Sequence, residues 1–158
     1  MADVLNPEQR RHNMSRIRSR NTKPELLLRR TLHAAGLRFR LHPQHLAGRP
    51  DLAFPKYRAV AFVHGCFWHG HNCPMFKLPA TRTEFWEAKI SRNRARDQLI
   101  STRLIADGWR VLTVWECALR GPARLPIEDV TARCSHFLRS SHERELEVIG
   151  RWLQLERS

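Results

Sequence analysis

The run Tyr57-Arg58-Ala59-Val60-Ala61-Phe62-Val63 is almost continuously apolar, and it leads straight into His64-Gly65-Cys66-Phe67-Trp68-His69-Gly70-His71-Asn72-Cys73. A short apolar run without polar alternation reads as a strand buried on both faces, and so as the central strand of its sheet. The segment from Gly65 to Ala80 holds too much His, Cys, Gly and Pro to be regular.

On the N-terminal side, Thr22 precedes Lys23-Pro24-Glu25, a capping-box start for a helix running to about Ala35 and stopped by Gly36. Leu37 to Leu41 alternates apolar and Arg residues with the period of a strand. His42 to Pro50 reads as a loop, Asp51 to Phe54 as a short extended piece, and Pro55-Lys56 as a turn. On the other side, Thr83 to Asp107 is predicted to be one long helix. Its positions Trp86, Ile90, Asn93, Asp97, Ile100 and Leu104 fall on a single face. Arg110 to Trp115 is a second apolar strand, and helices are expected over Ile127 to Ser140 and Glu143 to Leu155. The fold class is therefore α/β, a mixed central sheet flanked by helices. The expected organisation is a basic N-terminal arm over 1–22 and a single domain over 23–158. Its core spans about 23–140, with a C-terminal helical extension over about 141–158.

The chain has 158 residues, 28 Lys or Arg against 15 acids, a net charge of +13 and a pI near 11.2. Its 42% hydrophobic content argues against wholesale disorder. No stretch approaches the roughly 18 to 20 apolar residues of a membrane span. Met1 to Arg20 lacks the apolar core of a signal peptide, so a cytoplasmic protein is expected. The excess charge lies wholly in the first 110 residues, whereas Gly121 to Ser158 is neutral. One face is thus expected to meet a polyanion, with nucleic acid as the leading partner.

Four cysteines in such a chain are not a disulfide framework by default. Cys66, His71 and Cys73 supply two thiolates and an imidazole within eight residues, and Cys117, at the end of a distant strand, can close a Cys3His zinc site. The alternative for Cys117 is a small buried hydrophobe. Cys134 reads as a cysteine on a helix face and not a ligand, so its replacement by Ser should change neither zinc content nor stability.

Acids are scarce before residue 110. Asp51 opens a strand after a turn-rich loop, in a position from which one carboxylate can hold a hard cation such as Mg2+ against a phosphate. Asp97 lies on the inward stripe of the long helix, where a carboxylate needs a partner. His64 or His69 is the expected one, and a salt bridge to Arg94 or Arg96 is the alternative. Glu25 serves as an active-site acid or merely caps its helix. Phe67, Trp68 and Trp86 either stack on or wedge between bases, or pack in a core.

Taken together, Gly48-Arg49-Pro50-Asp51, the run Phe62 to Cys73, the run Lys77 to Trp86 and Gly108 to Cys117, continued by Ala118-Leu119-Arg120-Gly121, resemble the very short patch repair (Vsr) endonucleases. The resemblance covers roughly residues 8 to 140. It implies a core similar to the PD-(D/E)xK restriction endonucleases with a structural zinc. It implies nicking 5′ to the thymine of T·G mismatches left by deamination of 5-methylcytosine, with double-stranded DNA as partner. Asp51 then matches the Mg2+-binding aspartate and His69 the catalytic histidine. Glu25, His64 and Asp97 match other active-site positions. Cys66, His71, Cys73 and Cys117 match the zinc ligands, and Phe67, Trp68 and Trp86 the wedging aromatics. The acid-x-Lys half of the nuclease motif would fall at Phe62-Val63-His64, where both the acid and the Lys are missing, as in the family; His64 takes the Lys position. Val63 stands where some members carry Thr, and a metal bond from its backbone carbonyl would survive that change. A monomer is expected, with mismatch-repair proteins as further partners and action at the bacterial nucleoid. The rival readings are a zinc-stabilised DNA-binding module without catalysis and a restriction-type endonuclease without mismatch specificity.

Overall fold

A computed structural model describes residues 20–151. In chain order the elements are helix α1 (Lys23–Ala34), strand β1 (Arg40–Leu41), strand β2 (Leu52–Phe54), a single 3-10 turn (Pro55–Tyr57), strand β3 (Ala59–His64), helix α2 (Thr83–Ala106), strand β4 (Arg110–Trp115), the short helix α3 (Glu116–Leu119), helix α4 (Ile127–Ser140) and strand β5 (Glu145–Val148). The sheet runs β1-β2-β3-β4-β5. The first two pairings are antiparallel and the last two parallel, so the sheet is mixed and β3 is its middle strand.

The residues of β3 explain why it is central. Ala59 and Ala61 face one hydrophobic core, shared with α1, α3 and α4 through Leu28, Leu32, Ala118, Phe137 and Leu138. Val60 and Phe62 face the other, formed with Leu104 and Ile100 of α2. Small residues on one face and larger ones on the other let helices cover both sides, which is why the run shows no alternation of polarity. The stripe on α2 holds as well: Trp86, Ile90, Asn93, Asp97, Ile100 and Leu104 are all buried or half-buried.

Helix α1 starts at Thr22, whose hydroxyl accepts the Glu25 amide at 3.3 Å. The return bond of the expected capping box lands one residue early, because Glu25 Oε1 accepts from the Asn21 amide. The helix ends in a Schellman motif. Gly36, at φ +89°, donates to His33 O, and Leu37 donates back to Leu32 O. That motif turns Leu37 into the core, which shortens the strand expected over Leu37 to Leu41 to Arg40 and Leu41.

Two expectations need correction. Glu145–Val148 is a strand, where a helix had been expected over Glu143 to Leu155; the end of that range and the expected extension, 152–158, lie outside the described residues. Glu-Leu-Glu-Val alternates with period two. Beside the exposed parallel edge of β4 its Leu146 and Val148 reach the core while Glu145 and Glu147 stay exposed or nearly so. Cys134 is fully buried in the larger core, and burial alone pushes its thiol up to about 12. It is therefore a packing residue, and a Ser there would bury a hydroxyl. The expected arm, 1–22, falls outside the described residues except at Arg20, Asn21 and Thr22.

Candidate active site

His64 ends β3 and pairs in register with Trp115, which ends β4. The candidate site lies at the carboxyl ends of these parallel strands, the usual place for a binding crevice in an α/β sheet. Three groups of potential metal donors meet there among the described residues: Cys66, His71, Cys73 and Cys117; His64, His69 and Asp97; and Glu25, His42 and Asp51. The donor atoms of each group lie within 4.8 Å of one another.

In the first group, His71 Nδ1 stands 3.6 Å from both Cys66 Sγ and Cys117 Sγ. A tetrahedral centre with bonds of about 2.3 Å to sulfur and 2.0–2.1 Å to nitrogen has an S–N edge of about 3.6 Å. The donor set is thus compatible with a metal site. The Cys117 amide donates to Cys66 Sγ, and the Gly150 amide to Cys117 Sγ, each at 3.3 Å. The hydrogen bond shared with Cys66 is the main cause that holds the Cys117 thiol down to about 4, with His71 and the Gly150 amide adding to it; the same bond holds Cys66 above the thiol range. A bound cation would ionise both. The loop between Cys66 and Cys73 is therefore fastened to the start of α3, which is in turn bonded to the segment just after β5. The Cys66 amide also donates to Glu116 Oε1 at 3.2 Å.

In the second group, Asp97 Oδ2 accepts from His69 Nδ1 at 2.6 Å. The partner of the inward acid is thus a histidine, while Arg96 turns to Asn93 Oδ1. With its proton held on Nδ1, His69 presents Nε2 as the basic atom. His64 stacks on His69, with centroids 3.8 Å apart and planes 4° from parallel. Burial first, and then the neighbouring His69, lower the His64 pKa to about 3, which favours the neutral ring. Trp115 braces the assembly: it stacks on His71 at 4.0 Å, meets His64 edge-on at 5.2 Å, and donates Nε1–H to Glu147 Oε1.

The third group contains a residue that sequence reasoning missed. Glu25 is 1% exposed in the first turn of α1. Its Oε2 lies 3.1 Å from both Arg29 Nη1 and His42 Nε2. Asp51 Oδ2 accepts the Val63 amide at 2.7 Å, tying this carboxylate to the end of β3. Burial pushes the Asp51 carboxyl up to about 8; the Val63 amide opposes the rise and the Glu25 charge adds to it. His42 was assigned to an irregular loop. The signal that could have found it is its place nine residues before Asp51, on a segment that must pair back against Asp51; its amide donates to the Asp51 carbonyl at 3.1 Å.

A cleft of about 640 Å3 runs beside the histidines, lined by Val63, His64, Phe67, Trp68, His69 and Lys89. Arg96 and Arg120 add positive charge. A second cavity, about 690 Å3, opens on the other side of His64 and His69. Its walls carry Asp97, Glu145 and Glu147 against Arg94, whereas the first carries Lys23, Lys89, Arg96 and Arg120 against Glu116, so the first is the more basic of the two. At the cleft, Phe67, Trp68 and Trp86 form an edge-to-face cluster with centroids 5.1 to 5.9 Å apart. Lys89 Nζ lies over both indoles, at 5.5 and 5.7 Å, and Phe85 extends the cluster at 41% exposure. Lys89 and Phe85 were not singled out from sequence.

Buried Glu25 beside half-buried Asp51, a histidine oriented by an acid, and a basic cleft fit a nuclease, a hydrolase of a kind that works with a divalent metal. Sequence comparison agrees. The profile of the family described as DNA mismatch endonuclease Vsr matches residues 2–75. Over 138 residues the chain is 49% identical to the DNA mismatch endonuclease Vsr of Escherichia coli, covering 87% of this chain and 88% of that protein. Over 119 residues it is 54% identical to the type II nicking enzyme V.XorIIP of Xanthomonas oryzae, covering 75% of this chain and 88% of the relative. A type II nicking enzyme of Neisseria meningitidis, V.NmeAIP, is 41% identical over 123 residues, covering 78% of this chain and 88% of its own. The chain belongs to the Vsr family of DNA mismatch endonucleases. Among the described residues no helix is long and apolar enough to cross a membrane.

Proposed function

We propose that this protein nicks DNA 5′ to the thymine of T·G mismatches, in a Mg2+-dependent hydrolysis that leaves a 5′-phosphate and a 3′-hydroxyl. The observation that carries the reading is the Asp97-oriented His69 on the wall of a basic, aromatic-edged cleft, beside Val63, whose amide is bonded to the Asp51 carboxylate. Asp51, with the Val63 carbonyl, would hold Mg2+, and Glu25 and His64 would hold water or phosphate around it. The metal supplies charge for the scissile phosphate and lowers the pKa of bound water. His69 Nε2 accepts the proton of the attacking water, and Asp97 holds the ring in the tautomer that can do so. Phe67, Trp68 and Trp86 wedge beside the mispair. A wobble pair stacks less well than a Watson–Crick pair, so wedging costs less there, and the difference becomes selectivity. Cys66, His71, Cys73 and Cys117 would hold zinc, which fixes the loop carrying both the wedge and His69.

The place of Asp51, just before β2 and bonded through its carboxylate to the end of the central strand β3, supports a core similar to the PD-(D/E)xK nucleases. Residues 23–158 are read as one domain with 1–22 as a basic arm, acting as a monomer on double-stranded DNA in the cytoplasm. The experiment is a comparison of wild type and Asp51→Ala on a T·G duplex with Mg2+, following nicking and binding separately. Nicking is expected to disappear while affinity is kept or rises, since a charge facing phosphate is removed. Full-rate cleavage by folded Asp51→Ala would overturn the assignment.

A further inference from the structure

We infer that His42 adds an imidazole nitrogen to the metal site proposed at Asp51 and the Val63 carbonyl, and that the site for this reason takes Mn2+ in preference to Mg2+. The inference rests on the proposed metal site at Asp51. Nε2 of His42, an oxygen of Glu25 and an oxygen of Asp51 lie within 4.8 Å of one another, and the Nε2 to Glu25 Oε2 separation is 3.1 Å. An octahedral cation with bonds of roughly 2.1 to 2.2 Å has neighbouring donors about 3 Å apart and opposite donors about 4.3 Å apart. A ring nitrogen of His42 and an oxygen of Asp51, at most 4.8 Å apart, are thus close enough to reach one ion.

His42 is held there from two sides. Its backbone amide is bonded to the Asp51 backbone carbonyl and its ring to the Glu25 carboxylate, so the residue is anchored beside Asp51 and the imidazole does not hang in solvent. Its side chain is 13% exposed. The other groups facing Glu25 are Arg29, on the same oxygen, and the Asn21 amide, on the other. Mg2+ prefers an all-oxygen shell and keeps its waters, whereas first-row transition ions accept imidazole nitrogen. An oxygen-oxygen-nitrogen set therefore favours Mn2+.

The test is a Mn2+ titration of the full chain with its cysteine-bound metal in place. Free Mn2+ is read by continuous-wave EPR, and nitrogen coupling to bound Mn2+ by pulsed EPR, with Mg2+ as competitor. The variants are His42→Asn, which suits the left-handed backbone at φ +45°, His42→Gly should the first not fold, and Asp51→Asn. Wild type is expected to show imidazole nitrogen coupling. His42→Asn should lose it, with Mn2+ affinity falling at least tenfold and Mg2+ affinity less than threefold. Persistence of the coupling, or unchanged Mn2+ affinity, in a variant that has lost His42 overturns the inference while the Asp51 site stands. Unchanged Mn2+ binding by Asp51→Asn overturns both.

Discussion

Asp51 shows how far a single residue departs from its ordinary chemistry. Burial holds its carboxyl at about 8 instead of the ordinary 3.8. The folded metal-free protein therefore keeps a proton that the unfolded chain releases. Between pH 3.8 and about 8 the folded state binds more protons, so this group's contribution to stability falls as pH rises. Asp51→Asn, which can still accept the Val63 amide, is expected to raise the melting temperature of metal-free protein near pH 8 and to have no such effect below pH 4. A divalent cation should reduce the difference by stabilising the wild type. Equal melting temperatures at pH 8 without metal would show that the carboxyl is not desolvated. Trp68 is the residue where packing and function compete, since it touches both Phe67 and Trp86 and lies under Lys89. Trp68→Ala is expected to lower T·G nicking by roughly 1 to 3 kcal/mol, the scale of one base–aromatic stack, while low-salt nonspecific binding barely changes. Unchanged nicking and unchanged mismatch preference would assign Trp68 to structure alone. The scarcity of acids made Asp51 and Asp97 stand out as candidates, and the apolar stripe turned Asp97 inward, but the choice of His69 over His64 as its partner comes from the fold. The sequence hid His42, because a loop residue acquires meaning only from the strand it pairs beside.

At the scale of elements, the cysteine loop is the piece that must be held. It contains little apolar mass, and its rigidity comes from Cys66, His71 and Cys73 closing on Cys117 and from the Gly150 amide. Binding free energy of a structural metal is folding free energy. Cys117→Ser is accordingly expected to lose bound zinc and stability together, by elemental analysis and thermal melting. Cys134→Ser is expected to keep the metal and lose about 1 to 3 kcal/mol through a buried hydroxyl without a partner. Metal-free wild-type protein purified without chelators would contradict the site. Local pattern revealed α1 through its capping box and Gly36, α2 through its apolar stripe, and β3 and β4 through their continuous apolar runs. It failed at β5, where four residues of Glu-Leu-Glu-Val are too few to separate a period of 2 from one of 3.6. Their strand character comes from the open edge of β4, which no local pattern encodes.

At the scale of the whole molecule, the mixed sheet puts the carboxyl ends of β3 and β4 at the site, and α2 brings Asp97, Trp86 and Lys89 to it from the same side. The net charge of +13 is carried by the part of the chain that builds this face, whereas the neutral C-terminal segment supplies β5 and the rear helix α4. The charge distribution was readable in the sequence; which side of the stacked histidines faces DNA was not, since it depends on Glu145 and Glu147 lining the opposite cavity. The central claim is that this face selects a mispair and cuts one strand. The most direct measurement incubates the protein and Mg2+ with duplexes labelled separately on each strand, identical except for T·G, C·G or T·A at one position. The predicted result is a single nick 5′ to the mispaired thymine, in that strand only, with the C·G and T·A duplexes left intact. Equal cutting of all three, or cutting of both strands, would contradict it.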